Sequence, residues 1–282
     1  TKSHFFYNQV GNFNQRTSYE LNLQDVKGDN YLKRHQLNLT SPIITNENVL
    51  SSNFNINWNW IDADLDASVK IYEDLSKDNH DRYQYIFPDF SFRKAVPIPE
   101  KYNGSFNFYS SGYNKNYNTN INETVINNDF LFESNSYISN IGIASNYNLL
   151  LKNTNNHTNN STEFSNHKNY DVFGTFKYDM SLPLQSRNEV YTNYLTPRMS
   201  LRYSPNGNND ISSKDIKLNY NNAFSLNRIR SDSQVEGDEA LTIGLEFQKE
   251  KDVIGNVLEF RIGNVLKAKN SNNLPKKSKL NE

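Results

Sequence analysis

The 282-residue chain contains no cysteine. This absence excludes disulfides, zinc-thiolate sites and thiol nucleophiles. The longest apolar runs cover only a few residues, whereas a transmembrane helix needs about 20, so such a helix is excluded as well. Gly11, Gly112 and Gly174 form no phosphate-binding motif. No signal peptide is visible at Thr1, which leads us to expect a processed chain or a fragment of a longer one.

The chain also has little net charge. Its 30 Lys and Arg nearly balance its 31 Asp and Glu, which argues against a general nucleic-acid surface, because such a surface requires a basic excess. Only 35% of the residues are apolar, yet 13% are aromatic, and disordered chains are poor in aromatics. The 48 asparagines disfavour helix interiors and favour turns. Together these features indicate a β protein whose strands are apolar on one side only.

Apolar and polar residues alternate along almost the whole chain. Phe54, Ile56 and Trp58, for example, are separated by single asparagines. In a strand this pattern produces one apolar and one polar face. A soluble sandwich turns the apolar face inward, whereas a membrane barrel turns it outward to lipid and keeps a wet interior. The alternation by itself leaves both architectures open.

The alternation predicts about twelve strands, many of them near the roughly 9–11 residues that cross a bilayer at a tilt. They cover residues 4–9, 14–24, 48–60, 65–75, 82–93, 103–113, 123–135, 138–151, 170–180, 191–205, 238–249 and 255–267. Short or Pro-containing connections lie at 10–13, 61–64, 94–102, 136–137, 181–190 and 250–254. Longer ones lie at 25–47, 114–122, 152–169 and 206–237, with 76–81 a short exception. This alternation of connection lengths is typical of outer-membrane barrels and predicts that the two sets lie at opposite edges of the sheet.

The barrel hypothesis assigns each strand residue to a face, apolar outside and polar inside. The side chains expected on the convex outer side are Phe54, Ile56, Trp58, Leu241, Ile243, Leu245, Leu258, Phe260 and Ile262. Those expected on the concave inner side are Asn55, Asn57, Glu246, Glu259 and Arg261. Trp58 and Trp60 lie near a strand end, where aromatic side chains suit a membrane interface.

No set of residues predicts a catalytic, cofactor-binding or metal site. The five histidines lack metal-ligand spacing: His4, His35, His80, His157 and His167. The other polar clusters also have simpler structural explanations. Asp62 and Asp64 are expected to stabilise a turn rather than to perform acid–base chemistry, which needs carboxylates that face one cleft. Asp78, Asn79 and Asp81 lack the spacing of a calcium loop. The remaining candidates are the sequon Asn160-Ser161-Thr162, expected to be unused, and a solvated basic stretch at Lys276, Lys277 and Lys279.

Several segments contain motifs of a known protein family. Residues 78–92, DNHDRYQYIFPDFSF, lead into residues 104–113, GSFNFYSSGY, and are similar to a "DRYEYILPNYSF"-like strand of the LptD family of lipopolysaccharide-assembly proteins, in particular of its alphaproteobacterial members. Residues 195–205, LTPRMSLRYSP, resemble an "L-x-P-R" strand. Residues 222–245 resemble a segment in which Gly, Asp and Arg are common where this chain has Ser231, Ser233 and Gln234. Residues 273–280, NLPKKSKL, resemble a mid-barrel segment, and residues 5–39 fit the same order.

The resemblance implies an all-β antiparallel meander of about twelve strands that forms part of a large outer-membrane barrel. It implies transport of lipopolysaccharide to the outer leaflet through a barrel lumen and a lateral seam, without enzymatic chemistry. The implied partners are lipopolysaccharide, an LptE-type plug lipoprotein and an LptA-type periplasmic bridge, in the outer membrane of a Gram-negative bacterium and without nucleic acid or cofactor. Residues 1–282 are expected to form one domain that lacks the N-terminal jelly roll, the first strands and the closing strands of the family.

Two other functions fit the alternation. One is another outer-membrane barrel, such as a porin or receptor. The other is a soluble β-sandwich adhesin domain, which would bury the apolar faces in a dry core between two sheets. An enzyme has no residues in this sequence to support it.

Overall fold

The structure, a computed structural model, describes residues 3–36, 46–78, 80–118, 120–161, 168–205, 211–212, 215–251, 255–269 and 271–280. Those residues form an all-β fold, as the sequence predicts. The strands are β1 (Ser3–Asn14), β2 (Thr17–Lys27), β3 (Val49–Asn59), β4 (Ala63–Asp74), β5 (Tyr83–Val96), β6 (Gly104–Tyr117), β7 (Ile121–Ser134), β8 (Tyr137–Ile138), β9 (Ala144–Asn159), β10 (Lys168–Ser181), β11 (Leu184–Arg187), β12 (Tyr191–Ser204), β13 (Asp238–Lys251) and β14 (Gly255–Lys267). The α-helices are α1 (Tyr31–His35) and α2 (Tyr220–Ala223), and single 3-10 turns cover Glu100–Tyr102 and Lys276–Ser278. In the described ranges neither helix has the length and apolar character to cross a membrane.

Twelve of the strands follow one another in the sheet in their sequence order. The path runs from β1 to β14, while the short strands β8 and β11 pair beside it with β9 and β12. For the part of the chain that is described, this order contains no pairing between β1 and β14. The predicted antiparallel meander of about twelve strands is therefore confirmed.

The first hairpin corrects the connection predicted at 10–13. β1 runs through these positions, where Gly11 pairs with Tyr19. The chain turns only after Asn14, whose side-chain oxygen accepts a hydrogen bond from the Arg16 amide at 2.8 Å. Gly11 does not mark a turn, because its missing side chain makes room for Tyr19: a Cβ there would lie 2.7 Å from the Tyr19 hydroxyl oxygen.

Two connections predicted to be long are shorter than expected. The connection predicted at 114–122 shrinks to residues 118–120 between β6 and β7, with Asn118 and Asn120 at positive φ. The connection predicted at 152–169 is also shortened, because β9 continues to Asn159. Thr154 and Thr158 in this extension are buried, so polar residues that suggested a loop instead occupy the polar face of a strand.

The chain divides into two compact units. The first contains residues 1–95, 108–128 and 154–171. Its strands β1 to β5 pair consecutively and antiparallel. The turns at 15–16 and 60–62 therefore lie at one end of these strands, and the strand ends Lys27, Val49, Asp74 and Tyr83 lie at the other. α1 follows β2 and adds Leu32 to a small apolar cluster with Val26, Leu50 and Leu75.

The second unit contains residues 96–107, 129–153 and 172–282. In it β10, β12, β13 and β14 form consecutive antiparallel ladders, and β11 forms a short hairpin with β12. The connection at 182–190 and the paired strand ends Lys251 and Gly255 lie at one end of these strands, and the paired residues Ser204 and Asp238, between which the long connection runs, lie at the other. This placement agrees with the predicted separation of short and long connections within the unit.

Candidate functional site on the polar face

β13 and β14 show the two faces of the sheet most directly. Leu241 pairs with Leu266 across the ladder, so one face carries rows of apolar side chains. These side chains do not form a core, since Ile243, Phe260 and Ile262 are 45–56% exposed. A soluble sandwich would bury them, whereas a membrane barrel exposes them to lipid.

An open groove of about 580 Å³ lies in the apolar face of the second unit. Its side chains are mainly aromatic and aliphatic, and include Phe106, Phe130, Phe132, Leu149, Leu151 and Phe176. Gly174 also lines it, and a Cβ at Gly174 would meet no heavy atom within 4 Å. The groove has the apolar character of a surface that accepts hydrocarbon chains.

The opposite face carries buried charged side chains that are matched in pairs. The Lys152 side chain contacts Asp129 at 2.7 Å, and the Lys177 side chain contacts Asp179 at 2.7 Å. Both lysines are buried. Buried ions are stable only when paired and hydrogen-bonded, so this face is built as a polar interior rather than as a solvated surface.

Residues 215–237, here called the inner segment, pack on this polar face. Three buried cations of the strands donate to backbone carbonyl oxygens of the inner segment. The bonds run from Lys152 Nζ to Asp232 (2.7 Å), from Lys177 Nζ to Phe224 (2.6 Å) and from Arg202 Nε to Leu226 (2.9 Å). The backbone of the inner segment is thus held by charge-assisted hydrogen bonds from three different strands.

A buried ion pair joins the inner segment internally. Arg228 Nε and Nη2 donate to the two carboxylate oxygens of Glu236, each at 2.7 Å. Neither side chain is more than 1% exposed. Lys267 of β14 approaches the same carboxylate, with Nζ 3.4 Å from Oε1. This two-bond arrangement fixes the fold of the inner segment around residue 236.

Apolar contacts and a further charged contact join the inner segment to the stretch after β14. Ile229 belongs to a cluster with Ile211, Leu274 and Leu280, so the stretch after β14 packs with the inner segment. The Lys277 side chain also donates to Asp215 at 2.9 Å, and this bond holds the pKa of the Asp215 carboxyl below its ordinary value.

The start of the inner segment is the helix α2. The Asn219 side chain accepts from the Asn222 amide at 3.1 Å, and the Asn222 side chain accepts from the Asn219 amide at 2.7 Å, which forms a capping box. Tyr220 in this helix lies against the sheet, and burial raises its pKa to about 12. The phenol of Tyr220 is therefore neutral at physiological pH.

Gly244 of β13 leaves room for the Phe224 ring of the inner segment. A Cβ on Gly244 would lie 2.7 Å from Phe224 Cζ. The variant Gly244→Ala is therefore expected to lower the opening free energy of the inner segment by about 1–3 kcal/mol, because the Phe224 ring must move. Hydrogen exchange of the amides at 220–226 in the full protein would measure this loss.

The matched control is Gly174→Ala. Gly174 lies on the apolar face of β10, where the added methyl group would meet no heavy atom within 4 Å. The variant should leave the opening free energy of the inner segment unchanged. Any effect on overall stability should be a gain of about 0.4–1 kcal/mol, because alanine makes the unfolded chain less flexible than glycine does. Equal losses in Gly244→Ala and Gly174→Ala would show that the inner segment does not pack on Gly244.

The residues weighed as sites in the sequence are not brought together. Of the described residues, no group of three or more His, Asp or Glu side chains has metal-binding geometry. The described histidines lie in β1, α1, the turn before β5 and β9: His4, His35, His80 and His157. Asp62 lies in the turn between β3 and β4, where its backbone carbonyl accepts from the Ala95 amide at 2.7 Å. Asp64 lies in β4 rather than in the turn, because the strand begins two residues earlier than predicted. Asn79, Thr162 and His167 lie outside the described residues.

The residues that organise the polar face were not singled out from the sequence. They are Lys152, Lys177, Arg202, Arg228, Glu236 and Lys267. The sequence pattern does indicate the face of the strand residues among them, since Lys177 and Arg202 occupy polar positions in strands where polar and apolar residues alternate. Arg228 and Glu236 are eight residues apart in an irregular segment, where no periodicity shows which side chains meet.

A long antiparallel meander with an exposed apolar face and a polar, charge-bearing opposite face defines a wall of the outer-membrane β-barrel class. Comparison with protein-family models matches residues 1–282 to LptD, described as LPS transport system D. The chain therefore belongs to the LptD family. It acts in lipopolysaccharide transport and assembly at the outer membrane. Comparison with curated protein sequences gave no match.

Proposed function

We propose that these strands form a barrel wall that separates the two parts of lipopolysaccharide during its delivery to the outer leaflet. The sugars and phosphates move along the polar face, and the acyl chains move into the membrane through a lateral seam. The observation that carries this proposal is the opposite chemistry of the two sheet faces. Ile243 and Phe260 are exposed on one face, while Lys152 and Lys177 are buried and charge-paired on the other.

The physical reason is the amphiphilic nature of the cargo. An apolar face already in contact with hydrocarbon offers acyl chains an environment without loss of the hydrophobic effect. A polar face supplies hydrogen-bond partners for sugar hydroxyls and phosphates, which would cost several kcal/mol each if left unpaired in hydrocarbon. Transport on this basis needs no covalent step, and we infer that the chain is not an enzyme.

The proposal includes two protein partners. An LptE-type lipoprotein would occupy the lumen as a plug, in contact with the polar face. An LptA-type periplasmic bridge would deliver lipopolysaccharide through a periplasmic domain outside residues 1–282. The chain would be integral to the outer membrane of a Gram-negative bacterium, with the apolar face of β3, β13 and β14 toward lipid.

Site-specific crosslinking in living cells tests the proposal. A photoreactive residue is placed at Asn53 or at Phe54, neighbours on β3 that alternate between the polar and the apolar face. In the full protein with its lipoprotein partner, position 53 is expected to give adducts with lipopolysaccharide. These adducts should increase when lipopolysaccharide supply is high.

Position 54 serves as the matched control, because on the apolar face it would contact resident lipids of the bilayer, which include lipopolysaccharide already delivered to the outer leaflet. Adducts there should not follow lipopolysaccharide supply. Lipopolysaccharide adducts that increase with supply equally at 53 and 54, or that are absent from 53, would contradict transport along the polar face.

A further inference from the structure

The polar face of the second unit contains more buried cations than carboxylates at one place. Arg202 of β12, Arg228 of the inner segment and Lys267 of β14 surround the single carboxylate of Glu236, and these three cations are here called the cation cluster. Arg202 is 4% exposed, and the Lys267 side chain is 2% exposed. Burial of this degree makes an unbalanced charge costly.

Glu236 cannot satisfy all three cations. Its two oxygens each accept a 2.7 Å hydrogen bond from Arg228. Lys267 is left with an ion pair at 3.4 Å, longer than a hydrogen bond of normal length. Arg202 reaches only the backbone carbonyl of Glu236 with Nη2 and the carbonyl of Leu226 with Nε.

Donors therefore remain unused in the cation cluster. Within the described residues, neither Arg202 Nη1 nor Lys267 Nζ has a hydrogen-bond acceptor. The carboxylate of Asp238 attracts Arg202 electrostatically. Even with Asp238 included, the described residues place three cations against two carboxylates.

The strand register places the unused donors in one row. Arg202 pairs with Ala240, and Ala240 pairs with Lys267, so the two cations lie in one cross-strand row with a small residue between them. The two residues are separated by two strand spacings, about 9–10 Å. Long side chains from both ends of such a row can converge on a ligand above Ala240.

Other buried cations on this face do not share these features. Lys152 and Lys177 each have a carboxylate at 2.7 Å in addition to a carbonyl. The unused donors and the excess of positive charge thus coincide at the cation cluster. This coincidence distinguishes it from a general positive character of the polar face.

We propose that the cation cluster is a binding site for a phosphate-type oxyanion on the polar face. Such an anion would neutralise the excess charge and accept from Arg202 Nη1 and Lys267 Nζ, since a guanidinium fork and an ammonium group both suit phosphate oxygens. The phosphate could come from free inorganic phosphate or from a phosphorylated saccharide of lipopolysaccharide. Binding of the saccharide phosphate rests on the proposed function, whereas binding of inorganic phosphate does not.

Binding of inorganic phosphate to the full protein with its lipoprotein partner, purified in detergent, tests the site. Isothermal titration is performed after long incubation, because the inner segment covers the cation cluster. Arg202→Gln is expected to weaken phosphate binding by at least about tenfold, since it removes a charged hydrogen-bond donor. Lys267→Gln should weaken phosphate binding to a similar extent. Because this variant keeps the hydrogen bonds of Arg202 to the inner segment, it tests the site if Arg202→Gln does not fold.

Arg261→Gln is the matched control, because Arg261 lies on the same face of β14 and already has a carboxylate partner in Glu259. It should bind phosphate like the wild type. Phosphate affinity that is unchanged in both cluster variants, or no binding to the wild type, would overturn the site.

A competition arm distinguishes the two sources of phosphate. If lipopolysaccharide competes with inorganic phosphate and its dephosphorylated form does not, the site binds the phosphate groups of the transported lipopolysaccharide. Phosphate binding without such competition would keep the site and assign it to a free anion. Neither result depends on the crosslinks at position 53, so failure of the site and failure of the proposed function can be separated.

Discussion

The Glu236→Gln variant is expected to lower the free energy of opening of the inner segment by about 3–5 kcal/mol. The substitution keeps the shape of the side chain but removes its charge. Arg228, which is fully buried, loses one of its two 2.7 Å acceptors and its opposite charge, because the amide of Gln keeps only one acceptor oxygen, and Lys267 loses its ion pair. Hydrogen exchange of the amides between residues 224 and 236 in the full protein would measure the change.

The control for this prediction is Glu259→Gln, which removes the carboxylate of an exposed pair with Arg261 on β14. Exposed ion pairs contribute little, so its effect should remain within about 1 kcal/mol. A second check replaces both members of the buried pair, Arg228→Met with Glu236→Met. It should recover part of the stability, because Arg228 is no longer an uncompensated buried charge, while Lys267 still lacks its ion pair. Similar small losses in Glu236→Gln and Glu259→Gln would show that the buried pair does not hold the inner segment.

The period-2 alternation was sufficient to predict most of the fold. It placed β3, β12 and β14 within one or two residues of their observed bounds, because each strand has one apolar and one polar face and the connections are rich in turn formers. It was wrong at Gly11, where a glycine that suggests a turn makes room for a tyrosine across the hairpin.

The alternation also underestimated strands whose residues are polar on both faces. β9 extends beyond the predicted end at 151 through a run rich in Asn and Thr. Composition indicates a loop there, since these residues usually form turns. In a sheet with a polar interior the same residues can be buried and paired, as Thr154 and Thr158 are.

The site was less predictable than the fold. The connection at 206–237 was predicted only as a long external loop, and its described residues instead pack on the polar face. The contacts that hold it are between side chains of distant strands and backbone carbonyls, such as Arg202 with Leu226. A carbonyl acceptor is present at every residue, so no sequence pattern marks which one will be used. The Arg228–Glu236 pair depends on the same irregular backbone.

The largest expected effect on insertion is for a charge placed on the apolar face of β3. Ile56 pairs with Tyr19 and Ala67 near the middle of the strand. An arginine near the bilayer midplane costs about 2–4 kcal/mol when it faces lipid. Ile56→Arg is therefore expected to reduce the folding free energy of the full protein by this amount, which can be measured by urea titration of the folded fraction in lipid vesicles.

The neighbouring position provides the control, because consecutive strand residues face opposite sides. Asn55 lies on the polar face, where its side-chain amide donates to Glu20 at 3.4 Å. Asn55→Arg adds the same charge one residue away and next to a carboxylate, so we expect no loss and a gain of up to about 1 kcal/mol. A large loss in Asn55→Arg with little change in Ile56→Arg would mean that the polar face, not the apolar face, is turned toward lipid. Equal losses would mean that β3 is not in contact with the hydrocarbon on either side.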